Sequence, residues 1–135
     1  MTEAIEWLDR KSSLTGLPLG LFGASTSAAA ALMAAAGLPP RVFAVVSRGG
    51  RRDLTEDALP RVGAPRLLIV GGADTEVLRL NRKALSQLSD QSELVIVPGA
   101  THLFEERDAL ERVMRLAGNC FSAHLPDKAK GSRTA

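Results

Sequence analysis

The sequence predicts an α/β fold in which a mostly parallel sheet of about four strands is covered by helices on both faces. Two observations lead to this prediction. The segments that are typical of strands are short and continuously apolar, as strands buried on both faces are. Each is separated from the next by a helical pattern or by a long connection, which parallel strands require. The chain of 135 residues is long enough for one such domain.

The predicted elements alternate along most of the chain. Residues 3–13 have apolar residues at helical spacing and predict a first helix. Apolar runs then predict four strands, over Leu17–Phe22, Arg41–Ser47, Arg66–Val70 and Glu93–Val97. Three further helices are predicted over Thr26–Ala36, Glu76–Leu88 and Glu105–His124. Glycine and proline end the first of these three helices, which stops before Gly37, and end the last two strands. Residues 1–125 therefore form one domain, and the polar residues 126–135 are expected to form a disordered tail.

Composition argues against several classes of function. The formal net charge is only +2, and basic side chains are not grouped with aromatic ones, so nucleic-acid binding is not expected. The single cysteine, Cys120, excludes an internal disulfide and fits a reducing compartment. The amino-terminal segment is too charged for a signal peptide, and the alanine-rich stretch at 28–36 is too short to cross a membrane. The sequence thus predicts a cytoplasmic protein with no membrane partner.

Three polar residues follow three of the predicted strands. Ser25 lies in "FGASTS", Asp74 in "IVGGADTEV" and His102 in "IVPGATHLF". Parallel strands bring such loops to one edge of the sheet, where ligands bind in open α/β folds. A nucleophilic serine needs a histidine base, and that base needs a carboxylate to orient it. The backbone N–H of Thr26, at the start of a helix, would then face the oxyanion.

Each of these residues also has a simpler interpretation. Ser25 and Asp74 could be helix N-caps, and His102 could be an ordinary loop histidine. Their combined occurrence, in the order serine, aspartate, histidine that is typical of α/β-hydrolases, favours a catalytic triad. Asp53 is a weaker alternative carboxylate. No metal or organic cofactor is implied.

The segments "FGASTSAAAAL", "VVSRGGRRDL", "PRLLIVGGADTEV" and "VPGATHLFEE" resemble the dienelactone hydrolase-related α/β-hydrolases, in particular the subgroup associated with phosphoribosyltransferase domains. The resemblance extends from about Gly16 to His124. It implies that Ser25 is the nucleophile, Asp74 the acid and His102 the base. Dienelactone hydrolases proper have a cysteine nucleophile, so the serine indicates a more general enzyme that cleaves an ester, lactone or thioester through an acyl-enzyme.

The sequence departs from that family in two ways. Ser27 stands where the G-x-S-x-G motif has glycine, and we interpret it as a helix-start residue that brings some strain. The family has an eight-stranded sheet, of which this chain supplies only the last four strands. The edge of Leu17–Phe22 is therefore expected to pair either with a second copy, in a homodimer, or with a complementing N-terminal half. The alternative function is a non-catalytic remnant or assembly subunit that needs a partner chain.

Three other features are interpreted without a catalytic role. The "SRGGRRD" loop is interpreted as a solvated connection rather than a phosphate site. Cys120 is expected to pack in the last helix, and His124 to lie on the surface at its end.

Overall fold

The computed structural model describes residues 17–37, 42–50, 63–86 and 91–126. These residues form four strands, β1 (Leu19–Ala24), β2 (Val42–Arg48), β3 (Arg66–Gly71) and β4 (Ser92–Val97). They also form three helices, α1 (Thr26–Gly37), α2 (Thr75–Leu85) and α3 (Ala109–His124). The strands make one sheet in the order β1-β2-β3-β4, and every neighbouring pair is parallel. The predicted fold class is confirmed.

The helices cover the two faces of this sheet. On one face, small and branched side chains of α1, with Ala84 of α2, pack on β1 and β2. The alanine-rich sequence of α1 lets that helix lie close to the strands, since Ala28 and Ala31 are fully buried. On the other face, Val113 and Ala117 of α3 pack on β2, β3 and β4. The polypeptide therefore forms three layers with one buried sheet in the middle.

The strands differ in how completely they are covered. All six residues of β3 are buried, as predicted for a central parallel strand. In β1, Leu21 and Gly23 are buried against α1, whereas Gly20 and Phe22 on the opposite face are exposed. Helix α3 reaches the start of β1 through Phe121, whose ring lies against Gly20. The expectation of strands buried on both faces is therefore wrong for β1, because α3 lies mainly over β2 and β3.

The bounds of some elements also differ from prediction. Strand β1 begins two residues later than expected and continues to Ala24. The last helix begins at Ala109 rather than Glu105, because Phe104 and Asp108 have φ of 55° and 66°, which a right-handed helix cannot contain. The predicted first helix over 3–13 and the tail from 127 onward lie outside the described residues. In the ranges that are described, no helix is both long and apolar enough to cross a membrane.

Candidate active site

Ser25 occupies the sharp turn between β1 and α1. Its φ is 52°, a left-handed conformation that is uncommon for a residue with a side chain and is associated with functional sites. The Ser25 N–H donates to the carbonyl of Arg48 at 2.9 Å, so the ladder with β2 extends as far as the serine. A side chain at Gly23 would collide with the backbone of Ala28, its Cβ only 2.6 Å from the nitrogen. Glycine at 23 is therefore what allows α1 to turn back so tightly.

Ser27 holds the two sides of this turn together. Its hydroxyl accepts a hydrogen bond from the Ala24 N–H and donates one to the Ala24 carbonyl, each at 2.8 Å. The Ser27 side chain is exposed, so the departure from glycine is accommodated on the outside of the turn. Ser27 was predicted from the sequence to be a helix-start residue, but this double contact was not predicted. Serine side chains that bond nearby backbone groups are common at helix starts, and that tendency was the available signal.

The three predicted residues Ser25, Asp74 and His102 meet at the carboxyl edge of the sheet. The Ser25 Oγ lies 2.9 Å from Nε2 of His102. On the other side of the ring, Nδ1 of His102 lies 2.6 Å from Oδ2 of Asp74. An ionised carboxylate can only accept, so in the neutral imidazole Nδ1 carries the proton and Nε2 accepts the serine hydroxyl. The three side chains thus form one continuous line of hydrogen bonds.

Burial differs along this line. The side chain of Asp74 is 14% exposed, whereas that of His102 is 36% exposed. The carboxylate is therefore largely removed from solvent where it meets the ring, and the imidazole remains accessible from outside.

The side chains of Asp74 and Ser25 do not act as helix N-caps, which was the simpler interpretation of both residues. Asp74 is at the N-cap position of α2, but its side chain makes no capping hydrogen bond. Its backbone carbonyl accepts the N–H of Leu78 to start the helix, and its carboxylate bonds His102. The Ser25 carbonyl likewise accepts the N–H of Ala28. Its hydroxyl points to the histidine, where an N-capping hydroxyl would point to its own helix.

Glycines allow close packing around the two loops that carry Asp74 and His102. The Ala73 N–H donates to the Ala100 carbonyl at 3.0 Å, which joins the two loops directly. A side chain at Gly71 would overlap that same carbonyl. Gly49 follows β2 with φ of 59°, and a Cβ there would lie 3.3 Å from Nδ1 and Cε1 of His102. Gly71 therefore allows the two loops to approach each other, and Gly49 allows the backbone after β2 to approach the imidazole.

A second carboxylate fixes the start of the histidine loop. Oε1 of Glu106 accepts hydrogen bonds from the Thr101 N–H at 3.0 Å and from the Thr101 hydroxyl at 2.5 Å. The hydroxyl bond is the main cause that lowers the pKa of Glu106 below its ordinary value. Because Thr101 directly precedes His102, this contact restrains the backbone that carries the imidazole. Sequence reasoning missed Glu106, and only its spacing from the histidine could have suggested it.

The remaining predicted residues have varied positions. Thr26 is the first residue of α1, where backbone N–H groups have no acceptor within the helix; its oxyanion role remains a prediction. Cys120 is half-buried on α3, where it packs against the apolar side chains between that helix and the sheet, and burial raises the pKa of its thiol. His124 is exposed at the end of α3. Asp53 lies outside the described residues, as do Arg51 and Arg52 of the "SRGGRRD" loop.

An open apolar groove of about 480 Å³ lies beside the serine, between β1 and α3. Among the described residues that line it, Arg48 carries the charge. The Arg48 guanidinium donates to the Leu103 carbonyl at 3.3 Å and stacks over the ring of Phe104, 5.1 Å from its centre. Two residues of the lining adjoin the line of hydrogen bonds, since Ala24 precedes Ser25 and Leu103 follows His102. No group of three or more possible metal-ligating side chains occurs within the described parts of the chain.

Known proteins share this arrangement of strands and helices. A dienelactone hydrolase from Anabaena variabilis is 51% identical to this chain and superposes with a TM-score of 0.88. The resemblance to dienelactone hydrolase-related α/β-hydrolases is confirmed. The match covers 93% of this chain and 58% of the Anabaena protein, so the chain corresponds to part of such a hydrolase. The esterase domain of a Rhodothermus marinus protein has the same fold, with a TM-score of 0.77 at 19% identity, over 93% of this chain and 70% of that one.

Two curated relatives come from strains of Mycobacterium tuberculosis and are named as candidate phosphoribosyl transferases. Each is 54% identical to this hydrolase-like chain over 119 residues, which are 88% of the chain and 27% of the relative. The chain therefore spans about a quarter of the length of these relatives. Their names agree with the predicted association of this subgroup with phosphoribosyltransferase domains. No protein-family model matches the chain.

Proposed function

We propose that this chain carries the nucleophile, base and acid of a serine hydrolase that cleaves an ester, lactone or thioester. The observation that supports the proposal best is the continuous line of hydrogen bonds from Ser25 through His102 to Asp74. Serine at a left-handed turn between strand and helix, next to a histidine, is the arrangement that nucleophilic catalysis by this fold needs.

The proposed reaction has two steps. The Ser25 oxygen attacks the substrate carbonyl while Nε2 of His102 takes the hydroxyl proton, and the carbonyl electrons move onto oxygen. Collapse of this intermediate breaks the bond to the alcohol or thiol, which leaves with the proton from Nε2. Water then attacks the acyl-serine while Nε2 takes its proton, and collapse breaks the bond between the carbonyl carbon and the Ser25 oxygen, which takes that proton from Nε2 as the acid product leaves. Asp74 keeps Nδ1 protonated throughout and stabilises the imidazolium.

The backbone supplies part of the oxyanion site in this proposal. The N–H of Thr26 starts α1 directly after the nucleophile, at the positive end of the helix dipole. A donor at this position is worth on the order of a hundredfold or more in rate. The substrate class follows from this chemistry together with the names of similar proteins, a dienelactone hydrolase and an esterase domain. A cytoplasmic location is part of the same proposal.

A second function is favoured by the open groove beside the serine. A hydrolase-like chain with an uncovered apolar surface could serve as a non-catalytic subunit that a partner chain completes. In that case the three residues keep their geometry without turning over substrate.

The two functions predict different results when the purified chain is incubated with a short p-nitrophenyl ester. The proposal predicts release of p-nitrophenol above the rate in buffer, and its loss in Ser25→Ala. The matched control is Ser122→Ala, an exposed serine on α3, which should keep wild-type activity. Release that continues unchanged in Ser25→Ala would contradict the proposal, because the reaction would then not depend on the serine.

A further inference from the structure

We propose that Arg48 is a positioning residue of the candidate active site, which holds the serine turn through its backbone and the histidine loop through its side chain. The expected loss of activity in its variants rests on the proposed hydrolase function. The restraint of the histidine loop does not depend on that function and is tested separately.

The backbone of Arg48 reaches the turn that carries the serine. Arg48 is the last residue of β2 and pairs with Ala24, the last residue of β1. Its carbonyl accepts the N–H of Ser25 at 2.9 Å, so the ladder between the two strands continues onto the serine, whose φ is 52°. The backbone of the proposed nucleophile is therefore fixed to residue 48 of the neighbouring strand.

The side chain of Arg48 reaches the loop that carries the histidine. Its guanidinium donates to the Leu103 carbonyl at 3.3 Å and lies over the Phe104 ring, 5.1 Å from the ring centre. Both residues directly follow His102 in the chain. Phe104 is only 1% exposed, so its ring is a fixed surface beneath the cation. A planar guanidinium can stack on a ring and donate to a carbonyl at the same time, which suits it to both contacts.

The backbone that follows Arg48 is also fixed, so the guanidinium extends from a rigid base. The Gly49 N–H donates to the Ile69 carbonyl of β3 at 2.7 Å. The Gly50 carbonyl accepts a hydrogen bond of 3.0 Å from the side-chain amide of Asn81, which is fully buried in α2. A side chain on such a base restrains the loop that it contacts instead of moving with it.

The histidine loop is thus held on both sides of the imidazole. Before His102, the Glu106 carboxylate accepts two hydrogen bonds from Thr101. After it, the contacts of Arg48 join the loop to the same residue that accepts the Ser25 N–H. Arg48 therefore sets the spacing between the turn and the loop, and with it the 2.9 Å distance from Ser25 Oγ to His102 Nε2. A misplacement of about 1 Å in such a site costs about a hundredfold in rate.

The first test measures kcat and KM for hydrolysis of p-nitrophenyl acetate by the full chain. Arg48→Met removes the charge and the donors, so kcat should fall about a hundredfold with KM unchanged, because Arg48 does not bind the substrate in this proposal. Arg48→Lys keeps a cation and one donor and should restore kcat to within about tenfold of wild type. Arg112→Met is the matched control, since Arg112 is exposed on α3 outside the lining of the groove, and it should change neither constant.

The second test measures hydrogen exchange of single amides by NMR and needs no turnover. The Phe104 N–H donates to the Thr101 carbonyl within the loop at 3.1 Å, and its exchange should be about tenfold faster in Arg48→Met. Arg48→Lys and Arg112→Met should exchange as the wild type does. The Gly72 N–H, which donates to the Val97 carbonyl, is the internal reference and should not change. If Arg48→Met does not fold, Arg48→Gln replaces it, because its side chain is uncharged and two atoms shorter.

The outcomes separate the role of Arg48 from the proposed function. Unchanged exchange at Phe104 in the folded variant, or a wild-type kcat, would overturn the positioning role. A raised KM with unchanged kcat would also overturn it, in favour of a group that binds substrate. No recovery of kcat or of exchange in Arg48→Lys would overturn it as well, because the cation would then not be what holds the loop. Faster exchange at Phe104 in a chain whose wild type hydrolyses no ester would support the restraint by Arg48 and count against the hydrolase.

Discussion

Replacing Asp74 by asparagine should remove most of the reactivity of Ser25 without unfolding the protein. The carboxylate lies 2.6 Å from Nδ1 of His102 and is 14% exposed, so it makes a short, charge-assisted hydrogen bond in a partly desolvated place. An asparagine amide group facing Nδ1 would donate where the carboxylate accepts, leaving the proton on Nε2. That nitrogen could then no longer accept the serine hydroxyl. A wrong tautomer in such an arrangement costs about a thousandfold to ten-thousandfold in rate, or about 4–5.5 kcal/mol.

The structure also predicts what this variant leaves unchanged. Because the Asp74 side chain makes no capping bond to α2, its loss should not bring the cap penalty of about 1 kcal/mol. The melting temperature should therefore stay within about 2 °C of wild type. The assay is the rate of Ser25 labelling by a fluorophosphonate, measured together with thermal unfolding. Asp108→Asn is the matched control, since Asp108 is the N-cap of α3 and its side chain also makes no capping bond. Wild-type labelling of Asp74→Asn would show that the reactivity of Ser25 does not depend on the carboxylate. Slow labelling of Asp108→Asn would show that the loss is not specific to Asp74.

Three further substitutions test residues that surround the serine. Ser27→Ala removes two hydrogen bonds to the backbone of the turn, so the free energy of unfolding should fall by about 1 kcal/mol. The rate of Ser25 labelling should also fall several-fold, whereas Ser122→Ala should change neither quantity. Gly49→Ala puts a Cβ 3.3 Å from the imidazole at a positive φ, so labelling should slow and a wild-type rate would contradict the contact. Because the pKa of Glu106 is lowered on folding, its ionised form stabilises the fold above the unfolded pKa of about 4.3, and that stability is lost as pH falls through the folded pKa. Glu106→Gln should therefore reduce the fall in melting temperature below about pH 5, whereas Glu105→Gln should not.

Most of the fold follows from local sequence signals. Continuous apolar runs located all four strands, and the Gly-Gly and Pro-Gly pairs marked the ends of β3 and β4 because they favour turns. The start of α3 was predicted four residues too early. Glu105 to Asp108 have good helical composition, but Phe104 and Asp108 take positive φ to turn the chain toward α3. That conformation depends on tertiary packing, which a helical pattern does not report.

The three side chains of the candidate site could be predicted from the sequence, but the hydrogen bonds that hold their loops in place could not. Ser25, Asp74 and His102 each follow a strand, and parallel topology alone brings such residues together. The contacts of Ser27 with Ala24 and of Glu106 with Thr101 depend on side-chain rotamers within turns, for which the sequence has no periodic signal. The unpaired edge of β1 was expected from the missing strands, but its uncovered face was not, because continuous apolar runs predict strands that are buried on both faces. The groove with α3 could be found only once the position of that helix was known.

Mapping the residue that a fluorophosphonate modifies shows directly whether Ser25 is the nucleophile. The wild-type chain is incubated with the probe, digested, and its peptides are analysed by mass spectrometry, with Ser25→Ala treated in parallel. If Ser25 is the nucleophile, the wild type carries one adduct, on Ser25, and the variant carries none. A folded wild-type protein with no adduct, or with an adduct on Ser27, would contradict that assignment.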